Sequence, residues 1–258
     1  MHIDSPRSRA LVPLFALVAG VGLLAGCTSG GGDDTTAPTG DASGGPTIGP
    51  SPNMRPAETL DCLPEGSATA ATGPEDDPTL VAWTGSGTKA VLLAPQNESG
   101  PCEWADQLTR LAGQGYLVGT FSWSENSAQS VRDAVQVLRN VGAQDFALVG
   151  ASKGGTYVAG LADEIYPVTV VALSPPAEFD GESGRATDST YDGPLLVFAS
   201  ADDTVVSADV SKLVSRVDDP ATFRELDGGA HGVALFGGPH KAEVEQAIDD
   251  ALAQGFGG

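Results

Sequence analysis

The sequence predicts an α/β fold built on a mainly parallel, open sheet with helices on both faces. Short apolar runs rich in β-branched residues alternate with helix-like segments from Leu80 onward, which favours parallel strands joined by helices. The run "DFALVG" leads straight into a glycine-flanked serine, and the last strand-like run, "ATFREL", precedes a loop and a long helical segment. Such strands end at one edge of the sheet, where α/β proteins bind their ligands.

The elements follow in order along the chain. "TLVAWT" and "KAVLLA" are separated by a "GSG" turn signal, so we expect them to form a hairpin. "CEWADQLTRLAGQG" predicts a helix with Trp104, Leu108 and Leu111 on one face, and "SAQSVRDAVQVLRNVG" a helix capped by Ser130 and Asp133. The other expected strands are "YLVGTFSW", "FALVG", "PVTVVALS", "PLLVFAS" and "ATFREL", and the other helices are "TYVAGLADE", "ADVSKLVSRV" and "HKAEVEQAIDDALAQ".

The N-terminal segment has the layout of a secretory signal. Arg7 and Arg9 precede an apolar run, broken by Pro13, that is too short for a good membrane span. Its ending "LLAGC" resembles the lipobox of bacterial lipoproteins, which implies lipid attachment at Cys27 and a location on the outer face of the cell membrane. The alternative is an ordinary signal peptide with an incidental cysteine.

These features divide the chain into three parts. We expect a signal peptide over residues 1–26, a disordered Gly/Ser/Thr/Pro-rich tether over 27–56 and one folded domain over 57–258.

Cysteine count and charge restrict the remaining classes of protein. Cys62 and Cys102 are left after Cys27, and an even number in an exported chain predicts a disulfide, with two free thiols or a two-cysteine metal site as alternatives. No histidine or cysteine cluster supports a metal site, and no sequence resembles a phosphate-cradling loop, so we expect neither metal nor organic cofactor. The formal net charge of -21 disfavours nucleic acid as a partner. We expect a monomer.

Ser152 is the strongest candidate for chemistry. It lies between Gly150 and Gly154 at a predicted strand-to-helix turn. A nucleophile there adopts a strained conformation, and side chains at the two glycine positions would collide across the turn. The alternative is a flexible glycine-rich loop, because the pattern G-x-S-x-G is weak by itself.

A serine nucleophile needs a base, and the base needs a carboxylate to orient it. His231 lies in a short loop between the last strand and the last helix, whereas His240 follows a proline at a helix start and is expected to face solvent. An imidazole, with an unperturbed pKa of about 6.5, suits general-base work. Asp202 and Asp203 both follow the strand "PLLVFAS", so either is a candidate for the acid.

The order Ser152, Asp203, His231, each just after a strand, resembles the α/β-hydrolase family, whose triad runs Ser, Asp, His along the chain. "PLLVFASADDTVVS" is similar to that family's pattern PxLxxxGxxDxxVP and aligns Asp203 with the acid. Ser200 and Ser207 replace the glycine and the final proline of the pattern. The resemblance covers the chain from about Leu80 to the C-terminus.

The same resemblance implies an activity. Main-chain N–H groups of Gln96 and Lys153 would hold the oxyanion, and the segment "PPAEFDGESGRATDSTYDG" is too short and polar for a sizeable cap domain. The implied protein is a serine hydrolase that cleaves a small or surface-presented carboxylic ester. The alternatives are an acyltransferase on the same fold and a non-catalytic lipoprotein that serves as a binding module.

Overall fold

The computed structural model describes residues 54–257, so the predicted signal peptide, Cys27 and most of the predicted tether lie outside the described residues. The strands are β1 (Arg55–Pro56), β2 (Ala68–Thr72), β3 (Thr79–Thr84), β4 (Lys89–Ala94), β5 (Leu117–Phe121), β6 (Asp145–Ala151), β7 (Thr169–Leu173), β8 (Glu178–Phe179), β9 (Glu182–Ser183), β10 (Leu195–Ser200) and β11 (Phe223–Leu226). The helices are α1 (Ala105–Gly113), α2 (Ser127–Asn140), α3 (Lys153–Gly160), α4 (Ala162–Ile165), α5 (Ala208–Lys212) and α6 (Lys241–Phe256). Single 3-10 turns span Pro101–Trp104, Ala186–Asp188, Pro220–Thr222 and Gly232–Gly237.

One nine-stranded sheet has the order β1-β2-β3-β5-β4-β6-β7-β10-β11. Every neighbouring pair from β5 to β11 is parallel, while β1, β2 and β3 are antiparallel to their neighbours. The predicted fold class, a mainly parallel open sheet, is therefore confirmed. The carboxyl ends of its parallel strands lie at one edge, where the loops after β4, β6, β7, β10 and β11 carry the residues of the candidate site.

The predicted hairpin of β3 and β4 is wrong, because β5 lies between them. β3 pairs antiparallel with β5, with Val81 opposite Phe121, and β4 pairs with the other side of β5 in parallel. Gly85 follows β3 with a φ of +78°, and a Cβ there would lie 2.3 Å from the Tyr116 carbonyl oxygen. The residue after β3 is thus packed against the residue just before β5. The "GSG" spacing gives no information about this contact, because the two residues are far apart in sequence.

Helices cover both faces of the sheet, as predicted. On β4, Leu92 packs in the cluster that contains α2 and α3, whereas Leu93 packs in the cluster that contains α1 and α6. Adjacent strand residues point to opposite faces, so an apolar strand such as β4 contributes to both cores. Trp104, Leu108 and Leu111 are all buried, in agreement with the predicted helix face.

The cap of α2 differs from the prediction. Asn126, not Ser130, is the N-cap, and its side-chain oxygen accepts a hydrogen bond from the Gln129 N–H at 3.1 Å. Ser130 and Asp133 lie inside the helix, so they do not form its capping pair. Asn is a strong N-cap residue, whereas Ser127 and Ser130, which also suit an N-cap, lie inside the helix.

The structure contains the predicted disulfide between Cys62 and Cys102, with a Cα–Cα distance of 5.5 Å. It joins the segment between β1 and β2 to the 3-10 turn Pro101–Trp104 that precedes α1. With a sequence separation of 40 between the cysteines, the chain-entropy contribution to the free energy of unfolding is roughly 4 kcal/mol. No helix within residues 54–257 combines the length and the apolar character needed to cross a bilayer.

Candidate active site

Ser152 occupies a strained turn between β6 and α3. Its φ of +49° and ψ of -119° lie outside the helical and extended regions, a conformation that costs energy for any residue with a side chain. A Cβ on Gly150 would lie 2.3 Å from the Gly154 carbonyl oxygen, and one on Gly154 would lie 2.2 Å from the Ala94 carbonyl oxygen. Side chains at these two positions would therefore collide with backbone atoms across the turn, as predicted.

His231 and Asp203 are hydrogen-bonded, with 2.7 Å between Nδ1 and Oδ2. The Asp203 side chain is fully buried, and its Oδ1 accepts the N–H groups of Val205 and Val206 at 2.8 and 3.1 Å. An ionised carboxylate only accepts hydrogen bonds, so Nδ1 carries the proton and Nε2 is left as the acceptor. Asp202 is exposed, so of the two candidate acids the geometry places Asp203 against the imidazole.

The loop around His231 is held by two buried serines. Ser200 Oγ donates to the Ala230 carbonyl oxygen at 2.7 Å, and Ser174 Oγ accepts the Gly232 N–H at 3.1 Å. Both serines are completely buried, and their partners are the residues directly before and after His231. Ser200 stands where the related pattern has glycine, and this hydrogen bond gives the departure a structural reason.

The histidine loop packs against the turn that carries Ser152. A Cβ on Gly232 would lie 3.4 Å from the Ala151 Cβ. The Ser152 N–H donates to the Leu173 carbonyl oxygen at 2.8 Å, which places the turn beside the end of β7. Within residues 54–257 no hydrogen bond joins the Ser152 hydroxyl to the His231 ring. Such contacts in ligand-free sites are often long and shorten when substrate binds.

The main-chain N–H groups of the two predicted oxyanion donors, Lys153 and Gln96, differ in whether they are hydrogen-bonded. Lys153 begins α3, and its N–H has no acceptor among the described residues, as is usual in the first turn of a helix. The Gln96 N–H, in contrast, donates to Glu103 Oε1 at 2.6 Å. The geometry therefore leaves the Lys153 amide open and the Gln96 amide occupied, and the assignment of both as oxyanion donors stays a prediction.

The Lys153 side chain is buried, which sequence reasoning missed. Its Nζ lies 4.4 Å from the ring centroid of Trp123, 5.3 Å from that of Phe179 and 5.8 Å from that of Tyr157. Burial lowers the pKa of Lys153, and the nearby Asp180 carboxylate opposes that shift. Cation–π contacts of this kind replace part of the lost hydration. Tyr157 is on α3, four residues after Lys153, but Trp123 and Phe179 come from distant segments. No local pattern around "GASKGG" therefore indicates this cage.

Removing the Ser200 hydroxyl is expected to impair catalysis. Ser200→Ala leaves the Ala230 carbonyl oxygen unsatisfied and loosens the loop beside His231, so we expect kcat for ester hydrolysis to fall by about tenfold with little change in KM. The control is Ser211→Ala, since Ser211 is equally buried but its hydroxyl has no partner among the described residues. Steady-state kinetics on the folded variants gives kcat and KM for each. Equal kcat values in Ser200→Ala and Ser211→Ala would contradict the proposed role of the Ser200 hydroxyl.

Comparison with known proteins identifies the fold. No protein-family model and no curated protein matches this sequence. Among solved structures, an esterase from Pyrococcus furiosus is 16% identical with a TM-score of 0.58, covering 80% of this chain and 97% of that chain. A monoacylglycerol lipase from Paleococcus ferrophilus is 17% identical, with a TM-score of 0.54 and coverage of 68% and 98%. An alpha-beta serine hydrolase homologue from Coxiella burnetii is 19% identical, with a TM-score of 0.55 and coverage of 72% and 97%. At these identities the likeness shows the fold, which is that of the α/β-hydrolases.

Proposed function

We propose that this protein is a serine hydrolase that cleaves a carboxylic ester through an acyl-enzyme. The observation that carries the proposal is the Asp203–His231 hydrogen bond, on a loop that packs against the strained turn of Ser152. A buried carboxylate that fixes an imidazole beside a serine on a strand-to-helix turn is the arrangement that serine activation needs. The structurally similar proteins include an esterase and a monoacylglycerol lipase, which supports the same class of substrate.

In the proposed reaction, the catalytic groups form an acyl-enzyme and then hydrolyse it. Ser152 Oγ attacks the ester carbonyl carbon while His231 Nε2 takes the hydroxyl proton, and Asp203 stabilises the imidazolium that results. The tetrahedral oxyanion is held by main-chain N–H groups, Lys153 among them. The imidazolium returns the proton to the leaving alcohol, the carbon–oxygen bond breaks, and a water molecule then releases the acid by the same two steps.

The segment above the site bears on the size of the substrate. Between β7 and β10 the chain forms only the β8–β9 hairpin and one 3-10 turn, instead of a set of cap helices. A site without a helical lid admits a bulky or surface-presented ester, and it also admits water as the acyl acceptor. Hydrolysis is therefore favoured over acyl transfer to an alcohol.

Labelling with a fluorophosphonate probe tests the proposal directly, because the probe reacts only with an activated serine. We expect the protein to be labelled on Ser152, with labelling abolished in Ser152→Ala and retained in Ser86→Ala, which changes an exposed loop serine. Peptide mass spectrometry identifies the labelled residue. A folded protein that takes up no probe would reject the activity and favour the binding module.

We also propose that the mature protein is attached to the outer face of the membrane through a lipid on Cys27, on the basis of "LLAGC". The disulfide supports an oxidising compartment. Cys27→Ser is expected to move the protein from the membrane fraction to the soluble fraction or to leave it unprocessed, while Cys62→Ser keeps the anchor. Mass spectrometry of the extracted native N-terminus is decisive, since an unacylated terminus would exclude the attachment.

A further inference from the structure

Glu103 occupies the Gln96 amide that the resemblance assigns to the oxyanion. Its Oε1 accepts the Gln96 main-chain N–H at 2.6 Å, and its Oε2 accepts the Gln96 side-chain amide at 3.3 Å. Both carboxylate oxygens therefore contact one residue. A backbone N–H has a single hydrogen, so this donor cannot serve Glu103 and a reacting carbonyl oxygen at full strength at the same time.

The Glu103 carboxylate resembles the negatively charged oxygen that the proposed reaction creates. A tetrahedral intermediate places a negatively charged oxygen on these donors, and the acid product places a carboxylate there. Glu103 presents a carboxylate oxygen at charge-assisted hydrogen-bond distance. The Lys153 N–H has no such occupant among the described residues, so only one of the two predicted donors is taken.

The chain holds Glu103 in this position on both sides. Cys102, its neighbour, is in the disulfide with Cys62, and Trp104 on the other side is fully buried. The Gln96 loop is fixed as well, since Trp123 Nε1 donates to the Gln96 carbonyl oxygen at 3.0 Å. Burial raises the pKa of Glu103, and the hydrogen bonds from Ser99 and Gln96 offset only part of that rise.

We propose that Glu103 is a resident inhibitor of the site, whose carboxylate must leave the Gln96 amide before an acyl-enzyme forms. The inference rests on the proposed function and concerns the regulation of that site. Because the turn is anchored at Cys102 and Trp104, the carboxylate leaves by rotation of the Glu103 side chain and not by movement of the backbone. A substrate thus gains the second oxyanion donor only by displacing a charge-assisted hydrogen bond.

Fluorophosphonate inactivation rates of the native protein and three variants test this inference. The phosphonyl oxygen of the probe takes the place of the oxyanion, so Glu103→Ala is expected to raise the second-order rate constant by about tenfold over the native protein. Glu103→Gln keeps the shape but offers a neutral acceptor, and we expect a gain of roughly two- to fivefold. The control is Asp106→Ala, which removes an exposed carboxylate from the first turn of α1 and should change nothing.

A second readout does not depend on catalysis. In the NMR spectrum of isotope-labelled protein, the Gln96 amide proton should resonate far downfield, and Glu103→Ala should shift it upfield. The same shift is expected when both proteins also carry Ser152→Ala, because it does not depend on catalysis. An inactivation rate in Glu103→Ala that is equal to or lower than the native rate, or an unmoved Gln96 resonance, overturns the inference while leaving the hydrolase intact. If neither the native protein nor Glu103→Ala reacts at Ser152, both the inference and the proposed function fail.

Discussion

Ser152→Ala is expected to lower the turnover of a short p-nitrophenyl ester by about 10⁴- to 10⁶-fold, because no other group supplies the nucleophile. His231→Ala should cost a similar factor, since a serine hydroxyl without its base is a poor nucleophile near neutral pH. The double variant should be little worse than either single one, because the two residues act as a unit. Purified variants that pass a circular dichroism check for folding are compared by initial rates.

His240→Ala is the matched control for this experiment. His240 is the N-cap residue of α6, and its Nδ1 lies 3.2 Å from Glu243 Oε2, so its loss removes a surface contact and no part of the candidate site. We expect near-native turnover. Retention of near-native turnover by folded Ser152→Ala would remove the nucleophile, and with it the whole mechanism.

Asp203→Asn is expected to lower turnover by about 10⁴-fold through the tautomer of the histidine. The asparagine oxygen can keep the N–H groups of Val205 and Val206, which leaves its NH₂ facing His231 Nδ1. That group donates a hydrogen bond, so it favours an unprotonated Nδ1 with the proton on Nε2. Such an imidazole cannot accept the serine proton.

Asp202→Asn is the neighbouring control, because Asp202 is exposed and differs from Asp203 by one position. We expect turnover within a factor of about two of the native protein, as for most surface substitutions. Initial rates of the two variants, at equal protein concentration, give the comparison. If Asp203→Asn kept native turnover while Asp202→Asn lost it, Asp202 and not Asp203 would be the triad acid.

The sequence predicts well whatever is encoded locally or in chain order. The strand into Ser152, the helix after it and the acid and histidine loops all lie where the apolar runs and glycines indicate. Gly150 and Gly154 indicate a tight turn in the sequence, because any larger side chain at either position would collide with the backbone. The disulfide followed from counting, since two cysteines permit one pairing.

Relations between distant segments could not be read in the same way. β5 separates β3 from β4, yet nothing in the four residues between those two strands records it. The Glu103–Gln96 contact depends on a turn fixed by Cys62 and Trp104, and it changes how the candidate oxyanion donors are interpreted. Side-chain hydrogen bonds of this kind have no periodicity, so only the folded arrangement reveals them.

The hydrogen bonds that bracket His231 have a consequence for protein engineering. Ser174 follows β7, Ser200 ends β10, and Gln96, which follows β4, accepts the Val233 N–H at 3.2 Å. The backbone around His231 is therefore positioned by three strand ends, and its ring by Asp203 from the loop after β10, and not by its own loop. Grafting residues 227–233 onto another scaffold would carry the histidine but not its direction. A transplant of this site has to include the matching strand termini, so the smallest portable unit is nearly the whole parallel part of the sheet.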